Sequence, residues 1–161
     1  NERIWQEKAA SGPELSQMGT TIVVGAIYNN IAVIGNVGDS RAYLYRASEL
    51  SQISKDHSIV QELIDSGNFD MSQIDAMNIR DALTRALGIG ETVEPFICSE
   101  VLDAHDIIVS CSDGLTKHLT DADIAQELSL NLSIQETCFR MLDGALNGGG
   151  KDNISIVLAM I

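Results

Sequence analysis

Ile107-Ile108-Val109-Ser110-Cys111-Ser112-Asp113-Gly114-Leu115 is the stretch on which the fold turns. Three consecutive β-branched apolar residues predict a strand buried on both faces, and the small residues after them predict a turn leading into a helix. Asp113 stands at the tip of that turn. Gly114 removes a side chain beside it, which leaves room for a ligand or metal to approach the backbone. A second stretch matches it near the C-terminus, where Gly148-Gly149-Gly150-Lys151-Asp152-Asn153 runs into the apolar segment Ile154-Ser155-Ile156-Val157-Leu158. Either motif alone reads as an ordinary turn, because Asp and Gly tolerate the backbone angles that tight turns need. Two aspartates at the ends of two strands are a different matter. Carboxylate oxygens so placed suit a hard divalent cation such as Mg²⁺ or Mn²⁺, which takes carboxylate and water ligands.

The 161 residues, 45% of them hydrophobic, are enough for one domain with its own core, and a single domain over 1–161 is expected. Aromatics make up only 4%, so that core has to be built from Ile, Leu, Val, Ala and Met. Ten Lys and Arg against 23 Asp and Glu give a net charge of -13. Such a surface repels phosphate backbones and anionic lipid, which argues against nucleic acid and membrane surfaces as partners. A phosphorylated substrate would need bound cations to attract it. Cys98, Cys111 and Cys138 show no C-x-x-C spacing and are odd in number, which points to reduced thiols and a cytoplasmic location. No apolar run reaches the length of a membrane helix.

Along the chain, residues 1–17 predict the tail of an amphipathic helix, broken at Ser11-Gly12-Pro13 and followed by a short second piece. Strands follow over 19–28 and 31–37, joined by the turn Asn29-Asn30, and a third over 42–46 after Gly38-Asp39-Ser40-Arg41. This succession predicts an antiparallel meander. A helix is expected from Ile59, with Asp56 as its N-cap. Residues 67–80, with Met71, Ile74 and Met77, form a flap-like excursion of the kind that often covers a site. Strands over 93–102 and 106–111, helices over 121–128 and 133–146 capped by Thr120 and Ser133, and a last strand complete the reading.

Taken in order, these motifs resemble the metal-dependent type 2C protein serine/threonine phosphatases (PPM family) in their compact bacterial form. The matching pieces are Met18-Gly19-Thr20-Thr21, Val37-Gly38-Asp39-Ser40-Arg41, Lys55-Asp56-His57-Ser58-Ile59-Val60, Leu83-Thr84-Arg85-Ala86-Leu87-Gly88, Cys111-Ser112-Asp113-Gly114-Leu115 and Lys151-Asp152-Asn153-Ile154-Ser155. The resemblance implies an α+β fold, an αββα arrangement of two antiparallel sheets flanked by helices. It implies that Asp113 and Asp152 hold one of two catalytic Mn²⁺ or Mg²⁺ ions, and that Asp39 shares a third, weaker metal with Asp113. The implied chemistry is direct attack of water on phosphorus between adjacent cations, with no covalent intermediate. No catalytic residue beyond the metal ligands is assigned. Cys111 reads as strand packing rather than as a nucleophile, because no basic partner accompanies it. His57, Arg41 and Arg85 sit inside structural motifs and read first as structural, with acid–base work for His57 and phosphate binding for Arg41 and Arg85 as the competing readings. Where the family tends to carry a His-Pro pair before the Leu-Thr-Arg run, this chain has Met77-Asn78.

The family's opening Arg-x-x-Asn-x-Asp and Asp-Gly-x-Gly-Gly elements do not occur before Met18. The expectation is therefore an N-terminally incomplete domain, about the C-terminal two-thirds, inactive alone and with unpaired sheet edges open to self-association. The complete domain would hydrolyse phosphoserine and phosphothreonine in proteins, opposing a Ser/Thr kinase in signal transduction. The competing reading is a non-catalytic phosphatase-like binding or regulatory module.

Overall fold

The computed structural model describes residues 1–67, 79 and 81–161; the expected flap over 67–80, with Met71, Ile74 and Met77, lies almost entirely outside them. The chain forms two compact units. The first takes Asn1–Ile22, Asn36–Asp39 and Lys55–Phe96, the second Val23–Gly35, Ser40–Ser54 and Ile97–Ile161.

The second unit is built on two sheets. Strands β1 (Ile22–Tyr28), β2 (Ile31–Val37) and β5 (Phe96–Val101) form one, in the order β1-β2-β5. Strands β3 (Arg41–Arg46), β4 (Glu49–Gln52), β6 (Ile107–Cys111) and β7 (Ile156–Met160) form the other, in the order β4-β3-β6-β7 with every neighbour antiparallel. The two-residue link Asn29-Asn30 makes β1 and β2 a hairpin, and Asn29 takes the left-handed backbone (φ 54°) that such a turn requires. The expected meander does not continue past it. After β2 the chain leaves for the other sheet, where β3 pairs with β4 and β6 and not with β2.

β6 occupies the middle of this unit, as its run of β-branched residues predicts. Ile108 points to one core with Ala32, Ile34, Ala42, Leu44 and Leu102, which fills the space between the sheets. Ile107, Val109 and Cys111 point the other way, into a core shared with Leu115, Ile124, Leu128, Met141 and Ala145. Those partners come from the helices α3 (Asp113–Thr116), α4 (Asp121–Ser129) and α5 (Ile134–Asn147). Full burial of side chains such as Ile124 and Met141 is worth about 1.5–3 kcal/mol each, so the helices are held chiefly by their apolar faces. Thr120 and Ser133 cap α4 and α5 as expected; the Thr120 amide also donates to the Asp123 carboxylate, the reciprocal bond that completes a capping box. The outer face of the three-stranded sheet carries Val24, Ile31, Val33, Ile97 and Val101, all exposed.

One ion pair ties this unit together across the chain. The Arg46 guanidinium donates from Nε and Nη2 to Asp106, whose side chain is only 2% exposed, and the Asp103 amide adds a third bond at 2.8 Å. The Arg46 hydrogen bond holds the Asp106 carboxyl below its ordinary 3.8. A carboxyl depressed in the folded state stabilises fully above its unfolded pKa and loses that contribution as pH falls below about 3.8. Asp106→Asn is expected to cost about 2 kcal/mol at neutral pH, since a charge-assisted bond is lost at a buried site. It should also flatten the fall in Tm between pH 5 and 3, and thermal melts across that range check both effects.

The first unit holds α1 (Glu2–Ala10), a 3₁₀ turn at Pro13–Leu15 and α2 (Ile59–Asp65). Its loops are locked at Gly88, whose amide donates to Asn1 Oδ1 at 2.8 Å and whose carbonyl accepts from Lys8 Nζ at 2.8 Å. Gly88 takes φ +83° and packs against Ile4, so no larger residue fits there. The cap of α2 is Ser58, whose hydroxyl accepts from Gln61 N, and not Asp56 as the sequence suggests; Asp56 is buried two residues upstream.

Candidate metal centre

Two strand ends meet at one edge of the second unit. Ser112 follows β6 and occupies the N-cap position of α3, its hydroxyl bonding elsewhere. Its amide donates to Ser155 O at 3.0 Å, its hydroxyl accepts from Ser155 N at 2.9 Å, and that hydroxyl donates to Asn153 O at 3.2 Å. Gly114, the second residue of α3, faces the Asn153 carbonyl so closely that a β-carbon would collide with backbone atoms. The room that the glycine makes is thus filled by the Asn153 main chain rather than left for a ligand. This contact seats the Asp152 loop against the Asp113 turn.

Behind the loop, Gly149 (φ +130°) and Gly150 (φ +51°) make the reversal that carries the chain out of α5. His118 backs it, its Nε2 accepting from Lys151 N at 3.3 Å. Asp152 then accepts from Asn153 N at 2.8 Å; that bond, followed by Lys117, holds its carboxyl below the ordinary value.

The two predicted carboxylates converge on one cation. Lys117 Nζ lies 2.7 Å from Asp113 Oδ2 and 3.2 Å from Asp152 Oδ2, so the two oxygens are no farther apart than these legs combined. The ammonium group thus joins a carboxylate at the start of α3 to one in the loop before β7, and carboxylate oxygens are the donors a hard divalent ion takes. Among the described residues, no group of three or more His, Cys, Asp and Glu side chains is arranged to hold a metal. Among the described residues, the second unit thus brings two carboxylates to this point.

Asp39, the third predicted ligand, belongs to the first unit, where it follows the turn at Gly38. That turn is fixed by His57. The Gly38 amide donates to His57 Nδ1 at 3.2 Å and the His57 amide donates to Gly38 O at 2.9 Å. Accepting at Nδ1 places the proton of the neutral ring on Nε2. Burial, then the nearby Arg85, holds the imidazole pKa below 6.5, which favours the neutral ring that braces this turn. Gly38 itself takes φ +103° and lies against Thr21.

The remaining candidates are engaged within the fold. Cys111 is buried in the core on the helix side of β6. Arg41 donates to the Tyr43 hydroxyl at 3.1 Å, and that hydroxyl donates to Asp121 at 3.1 Å. Arg85 donates to Glu94 O at 3.1 Å. Lys117 was not singled out from the sequence, although its position four residues after Asp113 is the spacing at which helical charges meet.

Two antiparallel sheets with helices on one of them define an α+β domain, at one edge of which Asp113 and Asp152 share the Lys117 ammonium. The family model for protein phosphatase 2C matches residues 1–154, and the chain belongs to that family. It is 37% identical over 147 residues to the serine/threonine protein phosphatase PstP of Mycobacterium tuberculosis, covering 91% of this chain and 28% of that protein. It is likewise 37% identical over 152 residues to the serine/threonine phosphatase stp of Listeria welshimeri, covering 93% of this chain and 60% of that protein. The chain thus spans less than two thirds of either relative. Among solved structures, it matches the catalytic domain of PstP in complex with two manganese ions at a TM-score of 0.86 and 34% identity, over 99% of this chain and 65% of that one.

Proposed function

We propose that this chain is part of a protein serine/threonine phosphatase catalytic domain that works with Mn²⁺ or Mg²⁺ on phosphorylated proteins. The observation that carries the reading is the convergence of Asp113 and Asp152 on a single cation, in a chain of the phosphatase 2C family. Asp113 and Asp152 would hold one of the two catalytic ions. Asp39, on the turn that His57 fixes, would serve a third, weaker one. When bound, such ions polarise phosphoryl oxygens and activate water. The chain's own part is to present carboxylates at a fixed spacing, and the net charge of -13 makes cations necessary for any phosphorylated substrate to approach. Three free cysteines agree with a reducing, cytoplasmic setting, and the substrates we infer are those of a Ser/Thr kinase in signalling.

With two carboxylates from the second unit and without the family's opening acidic motifs, the 161 residues alone are expected to turn over slowly. The test is to read the coding DNA upstream of Asn1 and to assay its full product beside the 161-residue chain, with phosphoserine and phosphothreonine peptides and with or without Mn²⁺. Mn²⁺-dependent phosphate release by the full product supports the phosphatase. Equal inactivity of both, with or without metal, overturns it in favour of a binding module.

We also propose that the chain self-associates. Among the described residues, strands β1, β5, β4 and β7 end their sheets, and the exposed apolar face of Val24, Ile97 and Val101 adds surface that gains from being covered. Light scattering after size exclusion should show dimers or larger species growing with concentration. A strict monomer at high concentration counts against it.

A further inference from the structure

We propose that Lys117 is the resident counter-cation of the Asp113 and Asp152 pair, which a divalent metal must displace, so that this lysine sets how tightly the position binds metal. The inference rests on the reading of those aspartates as ligands. Lys117 follows α3 directly, one helical turn beyond Asp113, and its ammonium group bonds to one oxygen of each carboxylate. A divalent ion held by the same two carboxylates would sit at about 2.0–2.1 Å from its oxygens, and it would compete for them with an ammonium that lies 2.7 and 3.2 Å from one oxygen of each.

The geometry also says that displacement is easy. The three side chains are 31%, 43% and 35% exposed for Asp113, Asp152 and Lys117, so the pairing is screened by water and its strength is that of a surface ion pair. Lysine is a compact charge on a flexible stem and can swing out without backbone movement. It remains nearby after doing so, and its positive charge continues to oppose a second cation. In the metal-free chain the same lysine keeps the two carboxylates from repelling each other. Lys117 is thus a positioning residue with two opposed effects, steadying the empty loops and weakening the metal.

The experiment is a Mn²⁺ titration of the chain by calorimetry, and by the electron paramagnetic resonance signal of free Mn²⁺, for the wild type, Lys117→Met, Lys117→Gln and Asp113→Asn. Lys117→Met is expected to bind Mn²⁺ roughly three- to tenfold more tightly, as the loss of two exposed pairings implies. It should also melt lower without metal and show a larger Mn²⁺-induced rise in Tm. Lys117→Gln, which keeps a polar stem, should tighten binding in the same direction and serves if the methionine variant folds poorly. Unchanged or weaker Mn²⁺ binding in both lysine variants, with binding lost in Asp113→Asn, overturns the role of Lys117 and leaves the metal position standing. Wild-type Mn²⁺ binding in Asp113→Asn overturns the metal position itself.

Discussion

Asp113→Asn is expected to lower Mn²⁺-dependent phosphopeptide hydrolysis by the full gene product on the order of 10³-fold, the upper end of what losing one electrostatic stabiliser costs. The substitution keeps shape and hydrogen-bonding capacity but removes the negative charge, and a neutral amide oxygen is a poor exchange for a carboxylate at a hard cation. The fold should survive it. The Asp113 side chain is 31% exposed, it pairs with the half-buried Lys117, and the backbone bonds that seat the turn run through Ser112. Tm without metal should therefore stay close to the wild type while Mn²⁺ no longer raises it. Steady-state kinetics read the loss, and melts with and without Mn²⁺ separate it from unfolding. A variant that hydrolyses at the wild-type rate in saturating Mn²⁺ would remove Asp113 from the catalytic metal set.

Much of this edge was legible because the signals are local. Ile107 to Val109 reads as a doubly buried strand, and each of its faces enters a separate core. Thr120 and Ser133 announce helices because a hydroxyl before an amphipathic run has one obvious use. Sheet membership was not legible in the same way. The turn at Gly38 looks alike whether the next strand pairs with β2 or crosses to a second sheet, since turn chemistry fixes a reversal and not a partner. A clue was present in β3, where Ala42, Tyr43, Leu44 and Tyr45 are all buried; a continuous apolar run fits a strand covered on both faces better than the edge of a meander. Asp56 and Ser58 compete for the α2 cap two positions apart, and only the Gln61 amide decides between them. Contacts such as Arg46 with Asp106 join residues 60 apart and carry no local signal at all. Lys117 belongs between these cases. Its pairing with Asp113 follows from helical spacing, but its pairing with Asp152 requires the Asn153 loop to be seated on Gly114.

That seating is the basis of the second large effect. Gly114→Val is expected to destabilise the protein by about 3 kcal/mol, at the upper end of overpacking costs, and to abolish Mn²⁺ binding with it. Two influences oppose each other at this position. Gly114 lies within a helix, where replacing glycine by a residue with a β-carbon normally gains up to about 1 kcal/mol. Against that, a β-carbon here meets the Asn153 carbonyl group and the Ile154 side chain. The carbonyl cannot rotate away, because Asn153 O accepts from the Ser112 hydroxyl and the neighbouring Ser155 bonds to Ser112 through both its amide and its carbonyl. The clash therefore has to be relieved by moving the loop, which breaks those bonds and draws Asp152 away from Asp113. Alanine tests the balance: Gly114→Ala should still destabilise, by less than valine, because the collision begins at the β-carbon. Urea midpoints for the two variants, with Mn²⁺ titrations of each, measure both consequences. A Gly114→Ala variant more stable than the wild type would mean that helix propensity outweighs the Asn153 contact, and that the two aspartates are held together by something other than this glycine.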